Sequence, residues 1–173
     1  MNPCTVRRVR AEEAAACVQP LADVLLDCVQ GGASVGFMLP LPREKALAFW
    51  QRVADGVVKG ERALLVAQDA QGICGTVQLV LAQPDNQPHR ADVAKMLVHR
   101  RARRQGVAQR LMEALDQTAR EEGKHVLVLD TVTGGDAERL YQRAGWQRVG
   151  VVPNFALMPT GEFCGTTFFY KVV

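Results

Sequence analysis

The stretch MLVHRRARRQGVAQRLM, residues 96–112, joins an apolar strand-like run to an amphipathic helix. Arg100, Arg101, Arg103 and Arg104 crowd the junction, and Gly106 and Ala108 stand where the helix opens. Beyond them Val107, Leu111, Ala114, Leu115 and Thr118 recur at helical spacing on one face. The N–H groups of a helix's first turn have no partner inside the helix and lie at the positive end of its dipole. Such a junction is therefore built to meet an anion. Gly106 and Ala108 let a phosphate approach the backbone, and the flanking arginines add charge-assisted donors. Taken alone, the pattern equally suits a solvated basic loop ahead of an ordinary helix.

The surroundings of this junction set the fold class. RADVAKMLV (90–98) reads as a strand, Gln105 to Glu122 as a helix ended by Gly123, and HVLVLDT (125–131) as a strand covered on both faces. GDAERLYQRAGW forms a short helix closed by Gly145 at its C′ position, and WQRVGVV and TTFFYKVV are closing strands. Upstream, TVRRVR (5–10) alternates as a strand, and Ala11 to Gln30 is periodic as a helix that Pro20 kinks or splits. A second helix runs from about Arg43 to Lys59, and ERALLVAQD and ICGTVQLVLAQ form a strand hairpin. The expected fold is a mixed α/β domain of about seven strands, largely antiparallel, with flanking helices and one domain over residues 1–173.

Composition narrows the function class. The 173 residues carry 48% hydrophobic and 23% charged side chains with a net charge of +3, as a soluble globular protein does. The start, MNPCTVRRVR, has no apolar leader core, and no apolar run reaches membrane-spanning length, so a cytoplasmic protein without membrane partners is expected. Cys4, Cys17, Cys28, Cys74 and Cys164 are scattered with no C-x-x-C pair, which reads as reduced thiols and no metal site. A nucleic-acid module would need base-reading or stacking side chains beside the arginines. The helix that follows instead carries Glu113, Asp116, Glu121 and Glu122, and aromatics are 6% of the chain.

The pattern V-x-x-x-A-R-x-x-G-x-A, followed by a buried strand and then A-E-R-L-Y-Q-R-A-G-W, resembles the GNAT superfamily of acyl-CoA-dependent N-acyltransferases. Across nearly the whole chain the sequence is most similar to the tabtoxin-resistance acetyltransferases, through GGASVGFM, RADVAKMLV, the LDT strand end and the FFYK tail. The resemblance implies a GNAT-like sheet whose 90–98 and 125–131 strands splay apart to admit acetyl-CoA. Arg103, Arg104, Gln105, Gly106, Val107 and Ala108 would form the pyrophosphate loop, and Met96, Leu97 and Val98 would pair their backbone with the pantetheine arm. Tyr141 would stand near the sulfur. Three positions depart from the family pattern: Arg100 replaces a commonly seen proline, Ala108 the last glycine, and Gly134 an asparagine that contacts the cofactor in many members.

The implied activity is transfer of an acetyl group to the primary amine of a small molecule, amino-acid-like or antibiotic-like, by direct attack in a ternary complex. The alternatives are a protein or peptide acceptor, or a relative that binds acyl-CoA without catalysis. An alkylamine is only about one part in a thousand neutral at pH 7, a cost of about 4 kcal/mol that a nearby carboxylate can offset. Asp92 and Asp130, on the two splaying strands, are the candidate bases, and Tyr141 is the candidate acid. Ser34, Val35 and Phe37, with the two aspartates, are expected to line the acceptor pocket. GASVG (32–36) also matches the G-x-S-x-G of a serine nucleophile elbow, but that motif needs a strand before and a helix after. Ser34 instead follows a helix and precedes FMLPLP, so it is expected to be a pocket-lining loop residue. Either a monomer or a homodimer suits the sequence.

Overall fold

The structure, a computed structural model, describes residues 4–173; Met1–Pro3, the start of the MNPCTVRRVR segment, lie outside the described residues. Strands β1 (Thr5–Arg8), β2 (Arg62–Asp69), β3 (Gly72–Val80), β4 (Arg90–Val98), β5 (Val126–Val132), β6 (Gln147–Leu157) and β7 (Phe163–Val172) form one sheet in the order β1-β2-β3-β4-β5-β7-β6. Among the described strands β4 and β5 alone run parallel, and every other neighbouring pair is antiparallel. The mixed, largely antiparallel sheet is the one the sequence pattern implies.

Both faces of the sheet are covered, and alternation along β2 explains how. Leu64 and Val66 point to one core with helices α1 (Val18–Gln30) and α2 (Arg43–Val58), which contribute Leu21, Leu25, Trp50 and Val53. Ala63, Leu65 and Ala67 point to the other, with Leu111 and Leu115 of α3 (Val107–Glu121) and Tyr141 of α4 (Asp136–Arg143). A strand buried on both faces reads as a continuous apolar run, as RALLVA does.

The stretch from Ala11 divides into two short 3-10 turns, Ala11–Glu13 and Ala15–Cys17, before α1 begins at Val18. Pro20 therefore falls in the first helical turn, where its missing N–H costs no hydrogen bond, and it neither kinks nor splits α1. Helix α3 starts two residues later than the sequence pattern suggests, because Gly106 adopts the left-handed conformation (φ 74) and serves as its N-cap. Gly145 (φ 82) lies just past the end of α4, as expected of a C′ glycine.

Two irregularities open the middle of the sheet. β4 pairs with β5 only from Arg90–Asp92 to Val126–Val128, after which the strands part. On its other side β4 pairs Leu97 with Thr76 and Ala94 with Gln78, so Lys95 and Met96 together face Val77 as a bulge. Lys95 carries the bulge at φ 54, a conformation that costs a non-glycine residue strain.

Candidate active site

The parting of β4 and β5 opens a cavity of about 1050 Å³ that runs through the sheet. At one end lies the start of α3, where Arg104, Gly106, Val107 and Ala108 line the wall. The first-turn N–H groups of Val107, Ala108 and Gln109 have no helical partner, and no other backbone acceptor among the described residues takes them. A side chain built on Gly106 would meet nothing within 4 Å, so the glycine keeps open ground beside those donors. These features fit a phosphate group well, by approach to bare backbone and by helix dipole.

The four arginines of the junction do not all serve that cradle. Arg100 binds the Asp27 carboxylate through its side chain and, at 2.9 Å, through its backbone N–H. Arg101 binds Asp69 (3.1 Å) and the Ile73 carbonyl (3.0 Å), and it holds the Asp69 carboxyl below the usual range, chiefly by this hydrogen bond. Arg103 turns back to the Val98 carbonyl at 3.0 Å while still lining the cavity. Arg104 alone of the four has no hydrogen bond or ion pair among the described residues, and its exposed side chain lines the cavity. Gln105 is spent locally, its amide donating to the Arg101 carbonyl at 2.9 Å, and it does not line the cavity. Arg139 and Arg143 of α4 do line it, although nothing in the sequence pattern singled them out.

Met96, Leu97 and Val98 line the middle of the cavity along the strand edge that β5 leaves unpaired. Asp130 and Tyr141 line it as well, Asp130 exposed and Tyr141 buried. Leu127 and Leu129 of β5 point to the core shared with Tyr141, so alternation turns Asp130 to the opposite face of the sheet. Burial raises the Asp130 carboxyl above its ordinary value, the Lys95 charge opposes this, and Asp92 adds to it. No side chain among the described residues donates to Asp130. Tyr141 is 5% exposed, its ring 6.0 Å from those of both Trp146 and Phe169. Burial, then the Asp130 charge, raises its hydroxyl well above the ordinary tyrosine value, so it stays protonated.

Asp92 stands elsewhere. It is the last β4 residue paired with β5, and its carboxylate accepts from Arg90 and, at 3.1 Å, from the Gln83 amide. An acid within an apolar strand is thus answered by a local polar cluster, and Asp92 does not line the cavity. Phe37 is buried against Phe49, ring centroids 5.3 Å apart, and it too is off the lining. Ser34 and Val35 do line the cavity. The Ser34 hydroxyl donates to the Leu157 carbonyl at 2.8 Å, and Leu39 N–H donates to the Pro159 carbonyl at 3.0 Å, so the 31–42 loop is stitched to the β6–β7 hairpin. Gly134 adopts a left-handed turn (φ 80) and donates its N–H to Glu138 at 2.7 Å. Glycine and asparagine are the residues that tolerate this backbone best, so the exchange of one for the other keeps the turn and removes only a side chain.

Residues 60–148, which carry β2 through α4 and the whole cradle, match the model of the acetyltransferase (GNAT) domain. The chain belongs to the GNAT acetyltransferase family. An uncharacterized N-acetyltransferase encoded in the hisH–hisA intergenic region of Azospirillum brasilense is 36% identical over 112 residues, or 64% of this chain and 65% of that protein. The chain thus spans less than two thirds of the length of that curated relative. Among solved structures, the ribosomal-protein-alanine N-acetyltransferase of Brucella melitensis superposes with a TM-score of 0.81 at 20% identity, over 98% of this chain and 99% of that one. A phosphinothricin acetyltransferase from Sinorhizobium meliloti, in complex with AcCoA, gives 0.79 at 14% identity over 98% and 88%. At these identities the likeness is one of fold.

Proposed function

We propose that residues 1–173 act as one acetyl-CoA-dependent N-acetyltransferase domain that modifies the primary amine of a small molecule. The observation that carries this reading is the continuity of the cavity, from the bare N–H groups at the start of α3, through the splay, to Asp130 and Tyr141. Acetyl-CoA supplies the activated acetyl group. The first turn of α3 and Arg104 would hold its phosphates, with Arg103, Arg139 and Arg143 near enough to add charge, and the free edge at Met96–Val98 would hold its pantetheine arm.

Asp130 is the base in this reading. Its raised carboxyl brings it nearer the working pH, where it can still be ionised yet accept a proton from the acceptor ammonium, directly or through water. Asp92 acts at a distance, its charge helping to lift Asp130. Tyr141, kept neutral, holds a proton for the departing thiolate; that thiolate leaves tolerably unaided, so the tyrosine assists and is not indispensable. Ser34 is spent on Leu157, and of the cysteines only Cys28 lines the cavity, where burial raises its thiol above the ordinary value. Attack by the amine within a ternary complex therefore suits the site better than a covalent acyl-enzyme.

A cavity walled on one side by residues 31–36 leaves room for a small acceptor, and the resemblance to tabtoxin-resistance acetyltransferases points to an amino-acid-like one. The test is calorimetric binding of acetyl-CoA, followed by thiol release with a panel of small amines, lysine peptides and N-terminal peptides. Acetyl-CoA binding with turnover of small amines is expected. Turnover confined to peptides would move the acceptor to protein, and failure to bind acetyl-CoA would remove the transferase reading.

A further inference from the structure

Among the described residues Lys95 is a charge without a partner: its ammonium makes no hydrogen bond, and no carboxylate lies within ion-pair distance of it. It lies 5.4 Å from the centre of the Phe49 ring and would be 3.8 Å from a Cβ on Gly36, beside the 31–42 loop. Among the described residues, the features near it that favour a cation are the Phe49 ring face and the more distant Asp130 charge. A partly buried lysine ordinarily finds a carboxylate or reaches for water. Here the bulge at φ 54 does the reverse, spending backbone strain to aim this side chain into the cavity.

Asp130 lies on the same face of the sheet and lines the same cavity, yet the two do not form an ion pair. Their charges are felt mutually but the groups stay apart. Beyond the arginines of the α3 and α4 ends and Asp136, this part of the cavity thus presents one anion, Asp130, and one cation, Lys95, lining it without an ion pair between them. A diamine would put a second positive charge beside Lys95. A peptide N-terminus would offer it only a neutral amide. An amine carrying its own carboxylate satisfies both sites at once, ammonium at Asp130 and carboxylate at Lys95.

We infer that Lys95 is a specificity-determining residue that reads a carboxylate on the acceptor, so that this domain selects amino acids with a free carboxylate over their amides, over diamines and over peptides. The inference rests on the transferase reading above and gives its acceptor end a recognition element. Burial also holds the Lys95 ammonium below its ordinary value, as expected of a cation still short of a counter-charge.

The experiment compares amino acids with their own carboxamides (glycine with glycinamide, β-alanine with β-alaninamide, and longer pairs), by thiol release from acetyl-CoA. Wild-type protein should favour the acids in kcat/KM. In Lys95→Gln the acid-over-amide ratio should fall about 10- to 100-fold, the loss of one charge-assisted hydrogen bond, expressed mainly in KM. Lys95→Arg should recover part of the ratio, which a merely structural lysine would not require. Calorimetry with acetyl-CoA separates the two readings. Lack of acetyl-CoA binding by the wild type would sink the transferase reading itself. Binding with no acid turned over, with amides or diamines preferred, or with an acid preference that survives in Lys95→Gln, would overturn the role of Lys95 alone.

Discussion

The arginine run at 100–104 and the Lys95–Asp130 pair border one cavity and carry their charge in opposite ways. In the run, Arg100 and Arg101 answer Asp27 and Asp69, Arg103 answers a carbonyl, and only Arg104 is left over. The pair is the quieter feature in sequence, two single charged residues on two strands, and among the described residues neither has a partner in ion-pair reach. Charge that is loud in sequence is mostly structural here, and charge that is quiet is exposed to a ligand. For half-buried Lys95 the physical reason is cost: a partly buried charge with no partner destabilises the fold, so it persists where something other than stability requires it.

The largest test of this contrast is Asp130→Asn. Loss of the base should slow turnover at neutral pH by about tenfold to a thousandfold, with partial recovery at high pH as neutral amine accumulates. The stability effect has the opposite sign. The folded-state carboxyl of Asp130 is raised, so the native state binds a proton more readily than the unfolded chain. Its charge is therefore a cost that appears as pH rises above the unfolded value and is complete above the folded one. Asn removes that cost, and the thermal midpoint at neutral pH should hold or rise. Asp92→Asn breaks the cluster with Arg90 and Gln83 and should leave turnover within about tenfold of wild type. If the slow variant were Asp92→Asn and the unaffected one Asp130→Asn, the pair assignment would be reversed.

Gly106→Trp comes next and probes the run at its one clear cradle feature. The substitution fills ground that the glycine keeps open and puts a bulky residue at a left-handed position. Acetyl-CoA affinity should fall by at least about tenfold, a loss of about 1.4 kcal/mol in binding free energy. Calorimetry on a variant whose circular dichroism is unchanged decides the point; unaltered affinity would place the phosphates elsewhere.

How much of this was legible beforehand follows from the same contrast. The order of elements and the seven-stranded sheet were readable because they rest on local signals such as the both-face burial of RALLVA and the C′ Gly145, whereas the splay followed only from the GNAT resemblance. VLVLD reads as a strand covered on both faces, yet only Leu127 and Leu129 are buried and Asp130 is exposed, because the strand lines the open cavity. Sequence leans slightly to Asp92, an acid inside an apolar strand, over Asp130 at the end of its strand. What separates them is that β4 leaves β5 immediately after Asp92, together with the reach of Arg90 and Gln83, and both are facts of register and packing. Lys95 was passed over for a related reason. In RADVAKMLV it reads as an ordinary polar position on a strand, and only the bulge at φ 54 turns it inward. Arg139 and Arg143 were missed because an arginine on a short exposed helix has no distinguishing spacing.

A smaller effect should divide the arginine run itself. Arg101→Gln removes the partner of Asp69, whose carboxyl is held low mainly by that hydrogen bond. A depressed carboxyl contributes stability above its unfolded value and loses it as pH falls through the folded one. The variant should therefore be less stable at neutral pH by about 1–2 kcal/mol, the difference from wild type shrinking in acid. Its acetyl-CoA affinity should hold. Arg104→Gln should do the reverse, keeping the thermal midpoint and weakening acetyl-CoA by several-fold, more so at low salt. Thermal melts over a pH series, with calorimetry on both variants, check the division. Equal loss of affinity in the two would mean that the whole run serves the phosphates.

The smallest expected effect is that of Ser34→Ala, and it closes the question raised by the GASVG match. A nucleophilic serine needs a base poised on its hydroxyl, yet this hydroxyl donates to the Leu157 carbonyl at 2.8 Å, its other near neighbour being the Cys164 sulfur at 4.0 Å. A proton held by a backbone carbonyl is not available for removal by a general base. What the hydroxyl does is fasten the 31–42 loop to the end of β6, a task shared with the bond from Leu39 to Pro159. Because a second tie remains, loss of the first should cost about 1 kcal/mol of stability and leave transferase turnover within about tenfold. Covalent labelling of Ser34 by a fluorophosphonate probe, or loss of turnover beyond that range in a folded variant, would show that the loop carries chemistry and not only the wall of the pocket.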